Sequence, residues 1–212
     1  MNIIPGILES SLESFVESYT AVSVVTRHFQ IDIADGVLVG NTTITTHEAI
    51  EQLLLNSKAG HSFEFHLMMD DPKDAIDELE SCDLSITRIF LHKKPFSQCS
   101  SRRSIPIGLV INPEDEISVL QISDFSIPNL QIMTIHPGKQ GTLFLPEQLN
   151  KITQLRKNGF KGSITLDGGI HEREAKLITQ LSDKPDNIIV GSFLKDDTEN
   201  RYKKLKELLS SS

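Results

Sequence analysis

A chain of 212 residues with 38% hydrophobic and 24% charged residues has the composition of a globular protein with a sizeable core. Its formal net charge of −8 at pH 7, without a basic stripe, argues against nucleic acid as the main partner. No stretch reaches the roughly 18 apolar residues of a membrane span, and neither a signal-peptide pattern nor a disulfide framework is present, so we expect a cytoplasmic protein without membrane contact.

Strand-like and helix-like segments alternate along the whole chain. Each predicted strand is short, rich in Ile, Val, Leu or Phe, and bounded by Gly, Pro, Asn or Asp. The predicted strands cover residues 2–8, 29–34, 63–69, 86–92, 107–112, 130–136, 163–167 and 187–192. The predicted helices cover residues 9–20, 45–57, 71–81, 95–103, 114–121, 146–158, 171–182 and 197–210.

Eight strands that are each followed by a helix indicate an α/β fold, the (β/α)8 or TIM barrel, formed as one domain over residues 1–212. The fourth and fifth repeats are the weakest, because 93–105 and 113–125 would also suit loops or single helical turns. The alternative fold is an open doubly wound sheet, which binds its ligand at a switch point. No dinucleotide-type glycine fingerprint follows the first strand, and this favours the barrel.

Three polar side chains are predicted to meet at one mouth of the barrel. Side chains alternate between the two faces of a strand, so Gln30, Asp32 and Ala34 share the interior face of strand two. The same alternation turns His66 of strand three and Asp167 of strand seven inward. Because catalytic residues of such barrels come from the C-terminal ends of strands, we expect these groups to form a site.

Two carboxylates on opposite sides of the mouth would meet a flat substrate on both of its faces. That arrangement suits removal of a proton from one face and its return to the other. A divalent cation held by Asp32, His66 and Asp167 would offset the cost of burying ionised carboxylates and would polarise a carbonyl group. The alternatives are aspartates that cap loops or pair with internal lysines, and a His66 that is a hydrogen-bonded core residue.

A second group of residues predicts an anion site at neighbouring strand ends. The glycine-bearing loop 134–141 follows strand six, Gly168-Gly169 follows strand seven, and Gly191-Ser192 follows strand eight. Barrels of this kind often bind phosphate through backbone N–H groups in these loops, which glycine lets approach closely. Tight turns are the alternative explanation for each glycine pair, and Lys139 would either add charge or be solvated.

Other histidines and methionines are less informative. His92 and His136 end strands four and six, and each is a candidate for the lining of the mouth. Met68 and Met133 are candidates for substrate contact, with a core position as the alternative. The remaining histidines are expected at the surface: His28, His47, His61 and His171.

At these motifs the chain resembles the ribulose-phosphate 3-epimerase family over nearly its whole length. The resemblance is specific because the motifs occur as a set, in the family's order and spacing. They are Ile4-Pro5-Gly6-Ile7-Leu8, Ile31-Asp32-Ile33-Ala34-Asp35-Gly36, Phe65-His66-Leu67-Met68, Val110-Ile111-Asn112-Pro113, Met133-Thr134-Ile135-His136-Pro137-Gly138, Asp167-Gly168-Gly169-Ile170 and Val190-Gly191-Ser192.

The resemblance implies a barrel of the ribulose-phosphate-binding type, a homo-oligomer, and inversion at C3 of a sugar-phosphate substrate such as ribulose 5-phosphate, within carbohydrate metabolism. It implies that Asp32 and Asp167 are the acid–base pair and that both, with His66, bind a divalent metal ion (Zn, Mn, Mg or Fe). Gln30 stands at the position of the fourth metal ligand. The substrate and phosphate contacts are expected at Gly141, Gly168, Gly169, Gly191, Ser192, Met68 and Met133.

Three positions and one run of four residues depart from the family's pattern. Gln30 replaces a histidine ligand, and its amide oxygen should favour Mg²⁺ or Mn²⁺ over Zn²⁺, or bind no metal tightly. Gly6 replaces the opening serine, Ala34 replaces a pocket methionine, and the run 139–142 replaces Phe-Gly-Gly-Gln. Two alternatives to a ribulose-phosphate epimerase therefore stay open: a catalytically impaired sugar-phosphate-binding homologue, and an epimerase for a six-carbon ketose phosphate that uses the room beside Ala34.

Overall fold

The sheet of the protein is a closed barrel of eight parallel strands. The computed structural model describes residues 1–101, 103–117, 127–137 and 142–210. The strands pair in chain order, and the eighth pairs with the first, so the open doubly wound sheet is excluded. They are β1 Asn2–Ile7, β2 His28–Ala34, β3 Ser62–Met68, β4 Ile86–Leu91, β5 Ile107–Ile111, β6 Asn129–Met133, β7 Ser163–Asp167 and β8 Asn187–Val190.

Helices surround the barrel in the manner that the sequence predicts. The α-helices of the described residues are α1 Leu12–Val22, α2 Thr46–Asn56, α3 Lys73–Ser81, α4 Lys93–Cys99, α5 Asn150–Lys157, α6 Glu172–Thr179 and α7 Thr198–Ser210. None of the helices in this part of the chain has the length and apolar character that a bilayer crossing requires. The (β/α)8 fold is therefore confirmed.

Local signals explain where α2 begins and why residues 114–116 are not helical. Thr45 and Glu48 form a reciprocal capping box at the start of α2, which satisfies two backbone N–H groups. The prediction of a helix from residue 114 is wrong for residues 114–116. There the Asp115 carboxylate accepts a 2.8 Å hydrogen bond from the Asn112 N–H, which closes a turn instead. The rest of that predicted helix, 118–121, lies outside the described residues.

Two strands end two or more residues before their predicted ends, which changes the direction of the residues after them. β6 ends at Met133 and β8 ends at Val190, whereas the sequence predicted strands to residues 136 and 192. The Thr134 N–H still donates to the Asp167 carbonyl of β7 at 2.7 Å, and its single hydroxyl hydrogen is shared between the carbonyl oxygens of Asp167 at 2.9 Å and Gly168 at 2.6 Å. The Thr134 carbonyl, however, accepts from the Leu145 N–H at 2.8 Å, so the regular pairing ends here. Strand alternation therefore does not continue through His136.

The core lies in a layer between the barrel and the helices. On β2, Phe29, Ile31 and Ile33 point outward and pack under the helices in one large cluster of buried residues. The intervening residues Gln30 and Asp32 point into the barrel. Apolar side chains outside and polar side chains inside leave the barrel's interior as the place where the protein can do chemistry.

Candidate active site

Asp32, His66 and Asp167 meet inside the barrel at its C-terminal mouth. Asp32 and His66 are register partners on adjacent strands, so their side chains leave the sheet side by side. Nδ1 of His66 lies 3.5 Å from Oδ1 of Asp32 and 3.5 Å from Oδ2 of Asp167. One potential ligand atom from each of the three residues lies within 4.8 Å of the other two. The structure thus brings together the three side chains that the sequence singled out.

The Gln30 side chain joins the two carboxylates from below. Its Nε2 donates to Oδ1 of Asp32 at 2.8 Å and to Oδ2 of Asp167 at 3.0 Å. Its Oε1 is buried and has no hydrogen-bond partner among the described residues. The head group of Gln30 therefore occupies the fourth corner of the cluster, at the position where the sequence placed a metal ligand.

The donor set fits a divalent cation. Two carboxylate oxygens and one imidazole nitrogen are three ligands of the kind found in catalytic metal sites. Rotating the Gln30 side-chain amide by 180° would exchange Nε2 with the unpaired Oε1. An acceptor oxygen would then face the space between the Asp32 and Asp167 carboxylates. Asp32, His66, Asp167 and Gln30 are thus the residues that could hold an ion.

Gln131 is a site residue that the sequence reasoning missed. It is fully buried on β6, and its Nε2 donates to Oδ2 of Asp167 at 2.7 Å and lies 3.2 Å from Nδ1 of His66. The available signal was a polar residue between Leu130 and Ile132, which strand alternation turns into the barrel. Alternation alone does not reveal which side chains an inward glutamine reaches.

The two strand-end histidines have different positions. His92 is buried beside the site, with its Nε2 3.0 Å from Nε2 of His66 and the two rings stacked at 5.1 Å. The His136 side chain is 72% exposed and lies 3.9 Å from Glu114, so it belongs to the surface. Of the two candidates, His92 alone is packed against the cluster.

Two of the histidines predicted at the surface are not fully exposed. His61 is buried, and its Nδ1 shares a 2.6 Å hydrogen bond with the hydroxyl of Tyr19. His28 is half-buried at the other end of the barrel, where its Nε2 lies 3.1 Å from the buried carboxylate of Glu64. The prediction for His61 is wrong because a residue 42 positions earlier covers it.

Burial and mutual charge shift the protonation of the cluster. Burial, with the charge of Asp167, raises the pKa of Asp32 to about 6, although the hydrogen bonds from His66 and Gln30 act to lower it. Burial alone would lower the pKa of His66, but Asp167 and Asp32 raise it to about 9. Burial, with the charge of His66, lowers the pKa of His92 to about 3. His92 is therefore neutral, and a protonated His66 offsets carboxylate charge.

A cleft opens to solvent above the cluster. Its floor contains Asp32, His66 and Asp167. The walls include all described residues that the sequence proposed for substrate or phosphate contact, namely Met68, Met133, Gly168, Gly169, Gly191 and Ser192. Gly141 and Lys139 lie outside the described residues. Ala34 packs with Val39 and Met68 in a small apolar cluster, so Val39 lies in the region where the sequence suggested free room.

The loop after β7 requires glycine at both of its first positions. Gly168 has φ +114° and Gly169 has φ +66°, a region that other residues rarely adopt. A Cβ atom on Gly168 would also overlap Ile135, which lines the same cleft. The glycines thus let the chain turn closely over Ile135, and this puts loop backbone at the wall of the cleft.

Comparisons with known proteins agree with this geometry. A model of the ribulose-phosphate 3 epimerase family matches residues 2–194. A ribulose-phosphate 3-epimerase of Methanocaldococcus jannaschii is 28% identical over 188 residues, 84% of this chain and 78% of the relative. One of Schizosaccharomyces pombe is 26% identical over 166 residues, 76% of this chain and 71% of the relative. A solved 3-hexulose-6-phosphate synthase from Salmonella typhimurium shares the fold, with a TM-score of 0.65 and 15% identity over 100% of this chain and 99% of that one.

Proposed function

Because this chain belongs to the ribulose-phosphate 3 epimerase family, we propose that it is an isomerase that inverts C3 of a ketose phosphate such as ribulose 5-phosphate. The observation that carries the proposal is the pair of carboxylates at the floor of one cleft, both within hydrogen-bond distance of the Gln30 amide. Epimerisation next to a keto group needs two groups that exchange protons with opposite faces of one carbon. Asp32 and Asp167 come from β2 and β7, on different sides of the barrel, and would supply these two groups.

In the proposed mechanism one aspartate removes the C3 proton and the other returns a proton to the opposite face. The intermediate is a planar enediolate of the substrate. A raised pKa of about 6 brings Asp32 close to neutral pH, where a carboxylate is most effective in accepting and then donating a proton. The two aspartates interact with each other and with His66, so the pair titrates as a unit.

The surrounding residues would position the substrate and protect the intermediate. An apolar wall next to the carboxylates is formed by Met68, Met133 and Ile189, and it would keep water from the enediolate. The backbone around Gly168-Gly169 and Gly191-Ser192 would bind the phosphate group. A divalent cation held by the four ligand candidates would supply Lewis-acid stabilisation of negative charge on the substrate oxygens.

Exchange of the C3 proton with solvent deuterium tests the proposal directly. We expect the wild-type protein to incorporate deuterium at C3 of at least one ketose phosphate in a panel of five- and six-carbon compounds, with or without added Mn²⁺ or Zn²⁺. Asp32→Asn and Asp167→Asn should abolish the exchange. Asp35→Asn is the matched control, because Asp35 is an exposed aspartate at the end of the same strand region and should leave exchange unchanged.

Two results would contradict the proposal. Unchanged exchange in either active-site variant would reject the two-aspartate mechanism. Binding of phosphate esters by the wild type without any deuterium incorporation would instead indicate a sugar-phosphate-binding protein without turnover. The predicted homo-oligomer and cytoplasmic location stay predictions from the sequence.

A further inference from the structure

Gln131 has no assigned role, although it contacts two residues of the proposed site. We propose that Gln131 is a positioning residue that fixes the carboxylate of Asp167 for proton transfer, and this role rests on the proposed function. The amide carries two hydrogens on Nε2. One is directed at Oδ2 of Asp167 at 2.7 Å, and Nε2 also lies 3.2 Å from Nδ1 of His66 and 3.7 Å from Sδ of Met133.

The strand register explains how Gln131 reaches both groups. Its register partner on β7 is Thr165, whereas Asp167 is the partner of Met133. Gln131 therefore starts one layer deeper in the barrel than Asp167 and extends upward to it. Because the residue is fully buried between paired strands, its amide has little freedom to turn away.

The side-chain amides of Gln30 and Gln131 both donate to the same oxygen of Asp167. Within the described part of the chain, the hydrogen bonds to this carboxylate come from Gln30 at 3.0 Å and Gln131 at 2.7 Å, and both end on Oδ2. His66 faces the same oxygen at 3.5 Å. Fixing Oδ2 from three directions sets the plane of the carboxyl group and leaves Oδ1 as the oxygen for the substrate proton.

The orphaned oxygen of Gln131 argues against a purely structural role. Its Oε1 is buried without a hydrogen-bond partner among the described residues, and such a group costs about 1–3 kcal/mol. If this residue only filled the interior, leucine or methionine would give a more stable protein, because neither has a buried polar atom without a partner. The position of the glutamine is explained if its donor side is required at Asp167.

Kinetic constants of Gln131→Met test the proposal, since methionine keeps the length and removes the donors. We expect kcat for C3 epimerisation to fall about 10–100-fold, as for other residues that orient a reactive group through a hydrogen bond. KM should change by less than about threefold, because the proposed phosphate contacts lie in other loops. Gln131→Asn, which keeps the amide but shortens its reach, should show the same split.

Gln148→Met is the matched control. Gln148 is also buried with an orphaned Oε1, but it lies in the short helical turn Pro146–Leu149 outside the cleft. Gln148→Met should leave kcat unchanged. Its melting temperature alone should change, and that change measures how much stability is lost with a buried amide. A kcat within about twofold of wild type in folded Gln131→Met would overturn the proposal.

Crystal structures of the wild type and Gln131→Met separate this proposal from the proposed function. We expect the Asp167 carboxyl group to rotate out of its position when the amide is removed. If the wild type exchanges no ketose-phosphate proton, the proposed function fails, and the carboxylate position alone then decides the role of Gln131. An Asp167 carboxylate that stays within about 0.5 Å of its wild-type position would overturn the positioning role.

Discussion

Cγ2 of Ile189 lies 2.6 Å from the point that a Cβ atom on Gly6 would occupy. The two residues lie on the neighbouring strands β8 and β1, and both line the cleft. No side chain can be added at position 6 while Ile189 keeps its rotamer. The Cγ2 methyl group of Ile189 therefore occupies the space that any side chain at position 6 would need at the wall of the cleft.

This relationship predicts that Gly6→Ser is harmful by itself and tolerated in combination. We expect the single variant to lose about 1–3 kcal/mol of unfolding free energy through overpacking. Adding Ile189→Ala should remove that penalty. The double variant should therefore lose less unfolding free energy than the two single variants lose when their losses are added. Urea unfolding of the four proteins measures the coupling. Additive effects, within about 0.5 kcal/mol, would contradict the predicted contact.

Gly168→Ala should lose both stability and phosphate-ester binding. The positive φ of +114° and the overlap with Ile135 act together at this position. Gly159→Ala is the control, because Gly159 has φ +90° but open space around its Cβ position. Both variants should lose about 1 kcal/mol from backbone strain, and Gly168→Ala should lose more. Calorimetric titration with a ketose phosphate should show weaker binding for Gly168→Ala alone.

Residues on regular strands could be placed from the sequence. Period-two alternation was enough to turn Asp32, His66 and Asp167 toward one interior, because each lies within or at the end of an intact strand. Alternation does not give the register between neighbouring strands. That register places Gln131 beside Thr165, one layer below Asp167, so that its side chain extends upward to the carboxylate. The sequence therefore identified the main groups and missed the amide that holds them.

The sequence did not predict the positions of side chains that depend on contacts with residues far away in the chain. His136 follows β6 in the sequence, but the strand ends at Met133, and Thr134 bonds through its hydroxyl to Asp167 and Gly168 and through its carbonyl to Leu145. His61 lies in a polar turn, but Tyr19 of α1 packs over it and accepts or donates a hydrogen bond. Neither contact leaves a local pattern that a sequence window can detect.

The buried His61 should make stability depend on pH in the weakly acidic range. Burial, with the charges of Lys58 and Arg27, lowers the pKa of His61. The unfolded chain then binds a proton at about pH 6.5 while the folded protein does not, so stability falls as pH drops below that value. Urea unfolding between pH 7.5 and 5 should show a smaller loss for His61→Gln than for wild type. His47→Gln, at an exposed histidine, should follow the wild-type profile.

Gln30→His should increase the affinity of the site for Zn²⁺. The Gln30 head group lies 2.8 Å from one candidate ligand oxygen and 3.0 Å from another, so an imidazole at this position would add a nitrogen ligand to the same point. Zn²⁺ binds imidazole better than an amide oxygen, whereas Mn²⁺ and Mg²⁺ discriminate less. We expect the Zn²⁺ dissociation constant to fall by about tenfold or more, with a smaller change for Mn²⁺.

Competition with a chromophoric chelator measures both constants without any assay of turnover. Gln154→His is the control, because it adds a histidine on the exposed face of α5 and should not change the affinity of the site. Equal Zn²⁺ binding by wild type and Gln30→His would mean that the head group at position 30 does not reach a bound ion. The amide of Gln30 would then act as a hydrogen-bond donor that holds Asp32 and Asp167 together, and the proton chemistry would depend on His66 for its neutralising charge.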